Sequence, residues 1–98
     1  MTTVSTHVLD AGRGVPRAGV DVVLTDAGGT ELERATTDAD GRIRFATEVA
    51  GGHHTLTFAT RTEFHPVIRV DIAVDDSEAR HHVALLLSPF AYTTYKGS

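Results

Sequence analysis

The sequence predicts an all-β domain, a sandwich or barrel of about eight strands, and three observations carry the prediction. Apolar and polar residues alternate with a period of two through most of the chain, as they do in strands with one buried face. Turn signals recur at roughly the 8 to 12 residue spacing of sandwiches and barrels. No internal repeat, low-complexity linker or convincing helical stripe interrupts the pattern.

The first strand, 4–10 ("VSTHVLD"), puts Val4, Thr6 and Val8 on one face and Ser5, His7 and Leu9 on the other. The turn-rich "DAGRGVPRAG" then leads to a strand over 19–25, where Val20, Val22 and Leu24 alternate with Asp21 and Val23. "DAGG" precedes a run at 30–37, and "DADG" precedes 42–46, where Ile43 and Phe45 alternate with Arg42 and Arg44. After "AGG" comes 53–60, and then 67–74, where Ile68, Val70, Ile72 and Val74 alternate with Arg69 and Asp71. "DSEARHH" could open a helical turn on Asp76 or Ser77, but the valine and leucines beyond it favour a strand, so it reads as a turn. Over 81–88, His82, Ala84, Leu86 and Ser88 face away from Val83, Leu85 and Leu87. The last strand, 90–95, carries alternation almost to the end of the chain, where "YKGS" follows.

Ninety-eight residues, 41% of them hydrophobic, suit a single domain over 1–98, because so short a chain buries only about two thirds of its unfolded surface and cannot be divided further. With no cysteine, disulfides and thiolate metal sites are excluded, and the core or an oligomer interface must supply the stability. The net charge is −4 and the nine Lys and Arg are scattered, so nucleic acid is not expected as a partner. The N-terminus has no basic segment followed by an apolar run, and no stretch approaches the ~18 apolar residues that cross a bilayer. A cytoplasmic protein without a membrane partner is the expectation.

The residues that break the apolar pattern are candidates for function. A strand face carrying His7 or His82 among small residues and leucines is neither plain surface nor plain core, and suits a cleft or a subunit interface. Taken singly, each histidine also reads as a satisfied core or surface residue, and Arg42 as an ordinary hairpin residue. A metal site built from His7, His53, His54, His65, His81 and His82 is disfavoured, because the "HH" pairs point to opposite strand faces and no His-x-His spacing accompanies them.

Taken together, "STHVLD", the Gly14-x-Pro16-x-x-Gly19-Val20-x-Val22-x-Leu24 run, "TDADGRI", "HHVALLLSPFAYTTY" and the final "YKGS" resemble, in order and over nearly the whole chain, the transthyretin-related family in its 5-hydroxyisourate hydrolase branch. The resemblance implies a transthyretin-like (prealbumin-like) Greek-key sandwich of two four-stranded sheets. It further implies a homotetramer with sites at the dimer–dimer interface, and hydrolysis of 5-hydroxyisourate in urate breakdown without metal or organic cofactor. It transfers catalytic roles to His7, Arg42, His82 and Ser98, and substrate binding to His7, Arg42, Tyr95, Lys96 and Gly97. The chemistry suits these types. A neutral imidazole with a pKa of about 6.5 can take a proton from water. A planar guanidinium can stabilise a developing oxyanion. Which histidine is the base stays open.

Three departures accompany the resemblance. Lys96 stands where the family has arginine, Ala84 where a proline commonly stands, and the connection from Thr60 to Pro66 lacks the residues that form a short helix in relatives. Two alternatives remain on the same fold: a paralogue acting on another heterocycle, and a non-catalytic small-molecule carrier.

Overall fold

The computed structural model describes residues 1–97, and among them it has nine strands and no helix, hence no helix able to cross a membrane. The strands are β1 (Thr2–Asp10), β2 (Val15–Pro16), β3 (Asp21–Asp26), β4 (Glu31–Thr36), β5 (Arg42–Val49), β6 (Gly52–Phe58), β7 (Ile68–Val74), β8 (Arg80–Leu87) and β9 (Tyr92–Gly97). Every expected strand is present with boundaries moved by a few residues. The two-residue β2 was not expected, because Val15 and Pro16 sit inside a run whose composition reads as turn.

One sheet has the order β5-β1-β8-β9, with β2 continuing the β5 flank of β1 at Leu9 and Asp10. The other has the order β4-β3-β6-β7. Every pairing is antiparallel except β1 with β8, which runs parallel from Thr3↔Arg80 to Asp10↔Leu87. Two faces pack together, as the alternation requires. Val4, Val8, Ile43, Phe45, Val83, Leu85 and Leu87 of the first sheet meet Val22, Leu24, Leu56, Phe58, Ile68 and Val74 of the second in one hydrophobic cluster. Thr6 sits on this core face fully buried, and its hydroxyl donates to the Val83 carbonyl at 2.7 Å, which removes the cost of a lone polar group there.

The connection between β6 and β7 is held by its own side chains rather than by a helix. The Thr60 and Thr62 hydroxyls both donate to the His65 carbonyl, at 2.5 and 2.8 Å, and Arg61 N–H donates to the Pro66 carbonyl at 2.9 Å. Arg61 takes a positive φ of 53° to make the bend. Burial of the core face leaves the opposite face of the first sheet uncovered, and that face carries most of the residues singled out above.

Candidate active site

Strand register assembles the site in rows. On the outward face, Arg42 of β5 lies opposite His7 of β1, His7 beside Ala84 of β8, and Ala84 opposite Tyr95 of β9. The next row runs Arg44, Ser5, His82 and Gly97. Directly paired residues have backbones about 5 Å apart and diagonal neighbours about 7–8 Å, so Arg42, His7 and His82 converge on one small area. Residues remote in the chain meet here because β1 pairs with both β5 and β8.

The turn before β5 aims Arg42. Asp38 Oδ1 accepts from the amides of Asp40 and Arg42, each at 2.9 Å, and Gly41 N–H donates to the Asp38 carbonyl at 2.9 Å. Gly41 has a φ of 74°, and its carbonyl accepts from Val8 N–H at 2.8 Å. A Cβ at Gly41 would collide with the Val8 carbonyl oxygen and lie 3.0 Å from the Arg17 nitrogen. Only glycine lets the turn dock this closely on β1, one residue from His7.

His82 is held from two sides. Its Nδ1 hydrogen-bonds the Ser5 hydroxyl at 2.7 Å, while Nε2 makes no hydrogen bond among the described residues. A Cβ at Gly97 would come within 2.5 Å of His82 Cδ2, so the ring packs against bare backbone. Burial pushes the His82 pKa below its ordinary value, and the electrostatic influence of Arg42 and of the neighbouring His7 acts in the same direction. Both effects favour the neutral imidazole.

Ser5, Arg42 and His82, with Arg44, Arg80 and Asp38, line an open groove of 340 Å³. An overlapping depression of 510 Å³ extends it to Glu78 and Gly97. His7 and Tyr95 stand in the adjoining row, His7 half-buried and Tyr95 exposed. Lys96 differs from the expectation. It alternates to the side of β9 opposite Tyr95 and Gly97, and its Nζ is taken by both carboxylate oxygens of Glu78 at 3.0 Å. Ser98 lies outside the described residues.

His81 faces the core side in register with Val4. His53 and His54 sit on β6 of the other sheet, and His65 packs edge-on against Phe64 and Tyr92. Ser5, Arg44 and Arg80 line the same groove and were not among the expected candidates. Each is two positions from a residue that was found, on the same face of the same strand, so the alternation itself was the signal.

These features define a class of protein: a two-sheet sandwich of the transthyretin type whose outward sheet face presents imidazoles and guanidiniums together. Within that class the match is specific. The model of the HIUase/Transthyretin family matches residues 4–97, and the chain belongs to that family. It is 36% identical over 115 residues to the 5-hydroxyisourate hydrolase of Caulobacter vibrioides, with both chains covered completely. Its fold superposes on that of Klebsiella pneumoniae 5-hydroxyisourate hydrolase with a TM-score of 0.88 at 32% identity over the whole of both chains. Sea bream transthyretin, solved with thyroxine, is similar with a TM-score of 0.83 at 29% identity, covering 96% of this chain and 93% of that one.

Proposed function

We propose that this protein hydrolyses 5-hydroxyisourate to 2-oxo-4-hydroxy-4-carboxy-5-ureidoimidazoline, a step of urate breakdown. The observation that carries the reading is the convergence of Arg42, His7 and His82 on one outward sheet face, in a chain similar over its full length to named 5-hydroxyisourate hydrolases.

Opening a cyclic amide needs a group to take a proton from water, a group to return one to the leaving nitrogen, and donors for the oxyanion between. His7 and His82 divide the two proton transfers. Arg42 supplies a permanent positive charge and a planar pair of donors for the carbonyl oxygen. Ser5 fixes the His82 ring so that Nε2 is the atom that exchanges a proton. Tyr95 and Gly97 wall the ring's binding place, Lys96 anchors that segment to Glu78, and Ser98 keeps the catalytic role that the family resemblance gives it.

The whole chain acts as one domain, in the cytoplasm, and assembles as a homotetramer that closes the groove between dimers. Support comes from the free edge of β9 and from Phe64, Phe90, Tyr92 and Tyr95, all 42–68% exposed. The carrier reading has one observation in its favour, the likeness to a thyroxine-binding transthyretin. A single experiment separates the two: the ultraviolet decay of freshly generated 5-hydroxyisourate, with and without the protein, beside the His7→Ala variant. Accelerated decay with the intact protein and not with the variant is the expected result. A folded protein that leaves the decay unchanged sinks the hydrolase reading.

A further inference from the structure

The outward face holds more positive charge than Arg42 and the two histidines account for. Arg44, opposite Ser5, and Arg80, beside Thr3, line the same groove as Arg42 and His82. Among the described residues neither has a carboxylate within ion-pair distance. The acidic groups bordering the groove are occupied elsewhere. Asp38 Oδ1 accepts two backbone amides of its own turn, and Glu78 takes the Lys96 ammonium through both oxygens. Glu48, opposite Thr3 at the far end of the face, pairs with neither arginine. Three guanidiniums share a concavity with one imidazole whose Nδ1 is already engaged. Like charges gathered in a groove focus a positive potential into it, and the groove then favours whichever bound species is most negative.

The chemistry of the proposed reaction says which species that is. Water oxygen bonds to the ring carbonyl carbon, the C–N bond breaks, and one water proton ends on the leaving nitrogen. The new carboxylic acid gives up its remaining proton to solvent, so the product carries one more negative charge than the substrate. We propose that Arg44 and Arg80 form an anion subsite beside the reacting centre that receives the carboxylate made by ring opening. The assignment rests on the hydrolase reading and deepens it. Guanidinium forks match a carboxylate in two parallel hydrogen bonds, and the same geometry takes other small oxyanions.

The subsite makes the enzyme sensitive to small anions. Inorganic phosphate at low ionic strength is the probe, titrated calorimetrically into the substrate-free protein and used as an inhibitor of 5-hydroxyisourate hydrolysis. The expected result is binding to the intact protein and inhibition competitive with substrate. Arg44→Gln and Arg80→Gln, checked by thermal melting, each raise the phosphate inhibition constant about tenfold and weaken inhibition by the product alike, while KM stays near the parent value because the substrate has no carboxylate to lose. Arg69→Gln, on the outward face of the other sheet, behaves as the parent. Hydrolysis that is indifferent to phosphate, or equally sensitive in both arginine variants, overturns the subsite and leaves the hydrolase reading intact. Phosphate binding that the variants lose, in a protein without hydrolysis, overturns the hydrolase reading and with it the carboxylate as natural occupant.

Discussion

At Ser5 a single hydroxyl, 2.7 Å from His82 Nδ1, engages one ring nitrogen, and the proposed chemistry falls to the other, Nε2. Ser5→Ala removes a hydrogen bond of about 1 kcal/mol, so kcat falls roughly fivefold while KM stays near its original value, and Ser5→Thr restores most of the rate. A structural role alone would move the melting temperature and leave kcat unchanged. His82 also has a pH signature. Its pKa is lowered by burial first and then by Arg42 and His7, so Arg42→Gln raises it, and an NMR titration of the ring reads the upward displacement. Because the folded value lies below the unfolded one of about 6.5, the unfolded chain binds the proton first as the solution is acidified. Stability therefore declines as pH falls from about 6.5 toward the lowered folded value, and His82 adds no slope above that window. His7, Arg42 and His82 were legible in the sequence through the motifs around them. Ser5, Arg44 and Arg80 were not, since a serine or arginine in an alternating strand looks like ordinary polar surface until the register names its neighbours across the sheet.

Among the elements, β5 shows where sequence reading reaches its limit. Its pairing with β1 slips between Ser5↔Arg44 and Thr3↔Glu48, leaving Phe45, Ala46 and Thr47 out of the register. Glu33 of β4 serves the last two: its carboxylate accepts from Ala46 N–H at 3.1 Å and Thr47 N–H at 2.7 Å. The expected strand stopped at 46, near the irregularity, because a bulge has no composition of its own and depends on a carboxylate from another strand. Burial acts to raise the Glu33 pKa, but the amides and hydroxyl of Thr47 and Ala46 outweigh it and the net direction is downward. The stabilisation is thus present above the ordinary glutamate range and is lost as pH falls through the lowered folded value. Glu33→Ala is expected to cost about 1–3 kcal/mol in a denaturant titration at neutral pH, and the difference from the parent narrows in acid. Strand existence was legible from alternation and from the turns. The two-residue β2 was not, since its pairing comes from the approach of Arg17 N–H to the Val8 carbonyl at 2.9 Å and not from any β-forming run.

In the whole molecule the candidate site lies on the side of the sandwich that the core does not cover, and in the proposed tetramer a second copy closes it. A charge introduced on the exposed edge, Tyr92→Glu, is expected to lower the solution mass below the four subunits of the proposed assembly and to reduce hydrolysis together with it, read by light scattering and the same ultraviolet assay. A monomer of full activity would separate catalysis from assembly. The parallel pairing of β1 with β8 has a different consequence, one of timing. Ser5 and His82 are 77 positions apart, and every contact between β1 and β8 closes a loop of similar length. Such non-local pairings form slowly, and a chain made from its N-terminus holds β1 with one flank open until β8 has been synthesised. Catalytic competence is then among the last properties the protein acquires as it folds. Until that point the exposed flank of β1 is the place where two nascent chains would wrongly join.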